Sequence, residues 1–337
     1  MTAVILAACG GAGPTIPVAS TTTEPTTVSS VAPTPTPTPN PYGDFSSAEV
    51  PPADPERLAE FTRLVALFPA SYGSAMYLDM EFLRSTVTLS DSFSPEMLGL
   101  DLALPSIATG LVNSIAVAAD FQSHAVLTSF QGDFTIAAML QVANSFGLQL
   151  KEGSPQTYEG HNIWDVDALG VNLALAVADE TTGVAASGQD DTGSNAIGLA
   201  KASLDAFDGR SARLLDSPGL TSLVSDVPSG FAAAVLSQCE MVPLFADVQA
   251  LPGCAGAIAT AGILSGDLVV VHVLVAFSDQ DQARSALEVA NKALASEDLT
   301  QGFKDLGVRQ ERENIRVRVI VDVSKFTDVF RLFAPSS

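Results

Sequence analysis

The residues best placed to do chemistry stand in one short run, His161-Asn162-Ile163-Trp164-Asp165-Val166-Asp167, which holds the only tryptophan of the chain. On a strand, successive side chains alternate faces, so His161, Ile163, Asp165 and Asp167 share one. An imidazole beside two carboxylates could hold a cation or act as a general acid and base. The plainer alternative is a solvated sheet face.

Other candidates are weaker. Asp190-Asp191, in a glycine-flanked loop, and the pair Asp279/Asp281 offer carboxylates for calcium, but both lack the alternating oxygens and final Glu of a calcium loop. Asp279 also stands where a helix cap is expected. Arg309, Arg312, Arg316 and Arg318 form the one basic cluster and could grip a carboxylate or a phosphate. Glu311 and Glu313 lie among them, so pairing within the sheet is the competing reading. Of the three cysteines, Cys239 and Cys254 are close enough in sequence to close a short disulfide loop, or to be two buried thiols. There is no nucleophile elbow, zinc-binding HExxH, CxxC or Walker loop. No metal, cofactor or catalytic set is implied.

The chain carries a formal charge of −22, with 38 acidic residues against 16 basic ones. That field repels phosphate backbones and excludes nucleic acid as a partner. Charged residues make up only 16% of the chain, below the roughly 25% of ordinary globular domains. Nine of the basic residues lie from Arg284 onward, and only Lys151, Lys201, Arg210 and Arg213 fall between Ser85 and Ala283.

The first residues run Ala3-Val4-Ile5-Leu6-Ala7-Ala8-Cys9-Gly10. Leu6-Ala7-Ala8-Cys9 resembles the lipobox of bacterial lipoproteins, in which the cysteine is diacylated and becomes the mature N-terminus. The resemblance implies membrane lipid as a partner through Cys9 and an extracytoplasmic address at the cell envelope. The apolar run is short and no basic residue precedes it, so further signal residues are expected upstream. From Gly10 to Ala53 the chain is mostly Thr, Pro, Ser and Gly, with Pro33-Thr34-Pro35-Thr36-Pro37-Thr38-Pro39 at its centre. Such a segment cannot bury a core and is expected to be an extended stalk reaching on the order of 100 Å at ~3.1 Å per residue.

The folded region is expected to be organised around one stretch that occurs twice. Ala125–Phe146 laid over His272–Ala293 matches Val126, Leu127, Phe130, Leu140, Val142, Ala143 and Asn144 with Val273, Leu274, Phe277, Leu287, Val289, Ala290 and Asn291. Each copy is a β-rich run, a polar turn and an amphipathic helix. His124 and His272 fall one place apart in this alignment, on opposite strand faces, which argues against a symmetric metal pair. Around the repeat the pattern predicts helices over Asp54–Phe68, Asn195–Phe207, Ser217–Val224 and Ser324–Phe333. It predicts strands over Ser74–Phe82, Asn113–Phe121, Tyr158–Val166, Val171–Ala178, Val184–Ser187 and Phe231–Ser237. Ala255–Phe277 is long and apolar enough to span a bilayer, but Ser265-Gly266-Asp267 marks a hairpin turn at its middle. The loop holding Gly302 and Gly307 leads to a strand with Ile315, Val317, Val319 and Val321 on one face and Arg316 and Arg318 on the other. Asn314-Ile315 is matched to Asn162-Ile163 as the returning strand of each copy.

These elements predict an α+β fold, mostly antiparallel sheet with packed helices, built from two tandem repeats of strand, hairpin, helix and strand. The expected organisation is residues 1–9 as signal and lipobox, 10–53 as stalk, 54–210 as the first repeat and 211–337 as the second. One shared sheet and two lobes are both compatible with it. The pattern is similar to duplicated domains of bacterial exported proteins and lipoproteins, a resemblance that brings no activity with it. Together the features imply a non-catalytic, lipid-anchored binding or scaffolding protein of the cell envelope. The alternatives are a solute-binding protein with its ligand between the repeats, or an envelope hydrolase working through His161, Asp165 or Asp167. A protein or a small molecule is the expected partner besides lipid.

Overall fold

Asp54 starts the first helix as its residue type predicts. Its carboxylate accepts from the backbone N–H groups of Glu56 (3.0 Å) and Arg57 (3.4 Å), and Pro55 occupies the first turn. The computed structural model of the protein describes residues 54–86, 111–120, 125–133, 135, 149–150, 154–168, 171–188, 196–237, 253–294 and 303–326. Helix α1 (Pro55–Val65) buries Phe61, Leu64 and Val65. Strand β1 (Ser74–Asp79) is shorter than predicted, because Asp79 turns the chain into a second helix, α2 (Met80–Ser85), by accepting from the Phe82 N–H at 2.8 Å. The hairpin β2 (Ser114–Asp120) and β3 (Ala125–Gln131) forms as expected.

The predicted strand Tyr158–Val166 is divided in two. Glu159 (φ 48°) and Gly160 (φ 88°) make a two-residue turn between β5 (Gln156–Tyr158) and β6 (His161–Ala168), the left-handed pair that tight hairpins demand. The short β4 (Gln149–Leu150) also pairs with β6. Strands β7 (Val171–Val177) and β8 (Thr182–Ser187) and helices α3 (Ala196–Phe207) and α4 (Pro218–Val224) follow the predicted order.

In the second half, β9 (Ala232–Leu236) leads to a long hairpin, β10 (Cys254–Ser265) and β11 (Leu268–Phe277), turning at Gly266 and Asp267. The apolar stretch Ala255–Phe277 is therefore two paired strands, and no helix among the described residues is long and apolar enough to cross a membrane. Of the stripe Ala283, Ala286, Leu287, Ala290 and Leu294 that the spacing predicts for helix α5 (Gln280–Leu294), the three alanines are buried and Leu287 is half-buried. The expected loop around Gly307 is instead a strand, β12 (Phe303–Glu311), which pairs along β13 (Asn314–Asp322). An edge strand needs only one buried face, and Leu306 and Val308 supply it. The last predicted helix begins one residue early, at Val323, and residues beyond 326 lie outside the described set.

The described strands all join one thirteen-stranded antiparallel sheet, in the order β12-β13-β11-β10-β9-β1-β2-β3-β8-β7-β6-β4 with β5 beside β6. The two halves meet at its centre, where β1 pairs antiparallel with β9 from Ser74 opposite Leu236 to Leu78 opposite Ala232. This is an α+β molecule with a single sheet rather than two lobes. The returning strands differ from the sequence match: β13 lies against β11, whereas β3 is followed by β8, and β6 sits two strands further out.

Because strand side chains alternate, the sheet carries a core on each face. One contains Met76, Leu78, Ala234, Val273 and Val317 with α2 and α5, and runs over the second half. The other contains Tyr77, Ala233, Val235, Leu127 and Ile163 with α1, α3 and α4, and runs over the centre and first half. Helix α4 lies very close to β10: a Cβ on Gly219 would meet the Ala255 carbonyl oxygen at 2.2 Å, so only glycine allows the approach.

Candidate functional site

On β13 the residues Ile315, Val317, Val319 and Val321 enter the core with α5, and the period of two puts Arg316 and Arg318 on the opposite face. On that face Arg316 meets the residues after α4, and Arg318 is half-buried beside it. Arg316 is only 5% exposed. Its Nε donates to Glu311 Oε1 (3.2 Å) and Oε2 (3.3 Å), and Nη2 donates to the Asp226 carbonyl (3.3 Å). Arg309 also pairs with Glu311, and Arg318 with Asp305. Burial pushes the Glu311 carboxyl pKa up, but the hydrogen bonds from Arg309 and Arg316 outweigh it and hold it below the ordinary value. Internal pairing is thus the main use of this basic cluster, as its interleaved glutamates suggested.

The antiparallel registers bring a second group into line with these arginines. Thr260 of β10 stands opposite His272 of β11, and His272 stands opposite Arg318 of β13. His272 is 2% exposed, and among the described residues neither Nδ1 nor Nε2 has a hydrogen-bond partner; the Arg316 Nη1 lacks one there too. Burial first, then the charges of Arg316 and Arg318, push its pKa down to about 4, so the ring is neutral at pH 7. Native folds leave few buried polar atoms unpaired, and each needs an explanation.

His272 opens onto a cavity of about 240 Å³. Arg57 of α1, Phe82 of α2, the Ser229-Gly230-Phe231 segment, Thr260, Gly262 and Ile263 of β10, and Val270 of β11 complete the lining. Arg57 and Phe82 come from the first half and the rest from the second, so the cavity lies where the halves meet. Gly230 permits its wall: the Phe231 N–H donates to the Ala261 carbonyl at 2.8 Å, and a Cβ on Gly230 would meet that same oxygen at 2.2 Å. Arg57 stands at the mouth with its side chain 34% exposed, its guanidinium carbon 4.9 Å from the Phe82 ring centre. Its nearest carboxylates, Asp79 at 3.6 Å and Asp54 at 4.0 Å, are further away than in a close charge-assisted bond of ~2.7–2.9 Å.

The sequence-predicted cluster is used differently. His161, Asp165 and Asp167 do fall on alternate positions of β6, but His161 is engaged elsewhere. Its Nε2 is 2.9 Å from Asp208 Oδ2 and its Nδ1 is 3.1 Å from the Val177 carbonyl. Arg210 bonds Asp208 (2.6 Å) and Asp205 (2.7 Å), and Asp205 accepts from the Tyr158 hydroxyl at 3.0 Å. This network ties the β5–β6 hairpin to the C-terminal end of α3. Asp165 meets Ser154 through its backbone, whose N–H donates to Ser154 Oγ at 2.9 Å. Among the described residues no three His, Cys, Asp or Glu side chains group as metal ligands.

Asp279 caps α5, accepting from the Gln282 N–H at 2.8 Å, and Asp281 pairs with Arg284 at 3.0 Å. Cys254 is disulfide-bonded. Cys9, Cys239, His124, Asp190 and Asp191 lie outside the described residues. His272 is visible in the sequence only as a strand residue. Its one signal is that it interrupts the apolar run Val269–Ala276 facing a strand with two arginines.

No family model and no curated protein matches this chain. Three solved structures are similar at low identity. Crystal form I of TP0453 is 7% identical with a TM-score of 0.47, covering 80% of this chain and 97% of that one. Crystal form III of TP0453 is 8% identical with a TM-score of 0.44, covering 79% and 96%. Crystal form IV is 8% identical with a TM-score of 0.44, covering 84% and 97%.

Proposed function

We propose that this chain is a non-catalytic, lipid-anchored binding protein of the cell envelope that holds a small molecule in the cavity between its two halves. The observation that carries the reading is the cavity itself: residues of both halves line it, among them a buried histidine whose two ring nitrogens have no hydrogen-bond partner among the described residues. Ligand sites commonly occupy such concave, mostly apolar junctions with a few polar groups. In the same reading the halves descend from a duplication, supported by the matched stretches and by β1-β2-β3 and β9-β10-β11 running outward from the centre in the same order. In this reading the disulfide partner of Cys254 is Cys239, supported by its being the nearer of the other two cysteines in sequence. His161, Asp165 and Asp167 then serve the fold rather than a reaction.

Thermal unfolding of the full chain against sugars, amino acids, nucleotides, organic acids and cell-wall fragments tests the binding. A ligand at about 100 times its dissociation constant adds about 2.7 kcal/mol, a visible rise in melting temperature. A flat response to the whole panel would remove the reading. The anchor is tested separately, by mass spectrometry of the N-terminal peptide from native membranes. Diacylated Cys9 is the expected product, and an unmodified Cys9 on cytosolic protein would sink it.

A further inference from the structure

The cavity is lined by two buried polar residues and one charged one, Arg57, which is paired with Asp79 and Asp54 outside the lining. Thr260 and His272, 4% and 2% exposed, form the floor, with Phe231 and Val270 beside them. Among the described residues Arg57 is the one charged residue in the lining, and it is cationic. Behind the floor, on the same sheet face, stand Arg318, directly across from His272, and Arg316. Their paired carboxylates, Asp305 and Glu311, belong to β12, on the far side of β13 from His272. A net positive potential therefore reaches the imidazole, the same field that disfavours a proton there. The charges of Arg316 and Arg318 favour an anion beside the ring, whereas burial, the larger cause of its lowered pKa, disfavours charge of either sign, so an anion here must be held by hydrogen bonds.

Size and chemistry narrow the class. About 240 Å³ is the liquid volume of roughly eight waters and lies below the ~300–1,000 Å³ of drug-sized sites. A neutral imidazole donates one hydrogen bond and the Thr260 hydroxyl can donate another, which suits one carboxylate group but not a dianion. Phe82 and Ile263, both half-buried, offer apolar surface in the lining, and the fully buried Phe231 stacks behind Phe82. We propose that the cavity binds a small monocarboxylate with an apolar body, its carboxylate accepting from Thr260 and, after a small turn of the ring, from His272, and its hydrocarbon part lying against Phe82 and Ile263. The assignment rests on the binding reading above, and it can fail while that reading stands.

The test is calorimetric titration of the full chain at pH 7 with benzoate and butyrate, each paired with its neutral counterpart, benzamide and butyramide. The acids are expected to bind at least tenfold more tightly than the amides. His272→Leu, with Thr260→Val as a second variant, is expected to weaken acid binding at least tenfold while the melting transition stays cooperative. Should either variant fail to fold, the ring nitrogen resonances of His272 in the unmodified protein provide an independent reading, and they are expected to shift on adding benzoate. Amides binding as tightly as acids would overturn the anionic class and leave the binding reading in place. So would a failure of all four probes to bind while another compound raises the melting temperature. Acid binding undiminished in both variants would place the site elsewhere and overturn the assignment. No response to any compound would remove both, and His272 would then be a buried histidine served by water.

Discussion

On acidification from pH 7 to pH 4 the protein is expected to lose roughly 3 kcal/mol of stability through His272, a span of about two and a half pKa units at 1.36 kcal/mol each. Burial, with Arg316 and Arg318 adding to it, holds the folded ring at about 4 against 6.5 for the free side chain. Between those values the unfolded chain takes up a proton that the folded chain refuses. Stability therefore rises with pH through this window: the contribution is complete above 6.5, declines as pH falls, and is spent near 4. Carboxylates held below their ordinary pKa, Asp179, Asp208 and Glu311, lose stability in the same direction at lower pH. A comparison separates the effects. Urea unfolding of the unmodified protein and of His272→Leu, at pH 7 and at about pH 4.5, is expected to show the variant losing less on acidification than the unmodified protein. Parallel losses in the two proteins would show that His272 is not the group responsible.

Much of the architecture is legible in local patterns. The 3.6-residue spacing of Ala283, Ala286 and Ala290 marks α5, and the alternation of Ile315, Arg316, Val317, Arg318 and Val319 marks β13 and both of its faces. Capping chemistry marks α1 through Asp54 and α5 through Asp279. Two departures share a cause. Asp79 ends β1 because a carboxylate can cap a helix in the middle of an apolar run, and Glu159-Gly160 breaks a strand because a non-glycine residue takes the left-handed conformation there. Both are one-residue decisions against the prevailing period. The strand β12 is hidden for a different reason: an edge strand buries so little that Leu306 and Val308 do not stand out against Gly307 and the charged Lys304, Asp305, Arg309 and Glu311.

The cavity is not legible in the sequence, because it is a product of register. Thr260, His272 and Arg318 are separated by 12 and 46 positions in the chain and align only when β10, β11 and β13 pair in one particular offset. The matched dipeptides Asn162-Ile163 and Asn314-Ile315 show the same limit from the other side. They share residues, yet β6 and β13 take different places in the sheet, since two residues carry no information about which strand will be the neighbour. His161 is the more conspicuous histidine for its acidic neighbours in sequence, and its partner in space is an aspartate from the end of another helix, Asp208.

The joining of the halves makes the second large prediction. Phe231 is fully buried, stacks on Phe82 of the first half with ring centres 5.6 Å apart and planes 10° from parallel, and meets Phe326 edge-on at 5.4 Å. Its backbone continues the link, with the carbonyl accepting from the Asp79 N–H at 2.8 Å. Phe231→Ala is expected to cost about 3–5 kcal/mol, the range for emptying a buried aromatic site, and to lower the melting temperature by on the order of 10 °C. The form of the transition carries as much as its midpoint. In a sheet fused at β1 and β9, both halves lose their support together, so unfolding stays a single transition and amide exchange quickens in β2 and β3 as well as in β10 and β11. Two separated transitions, with β2 and β3 still protected after the second half has melted, would show that the halves are held independently and that their central pairing contributes little.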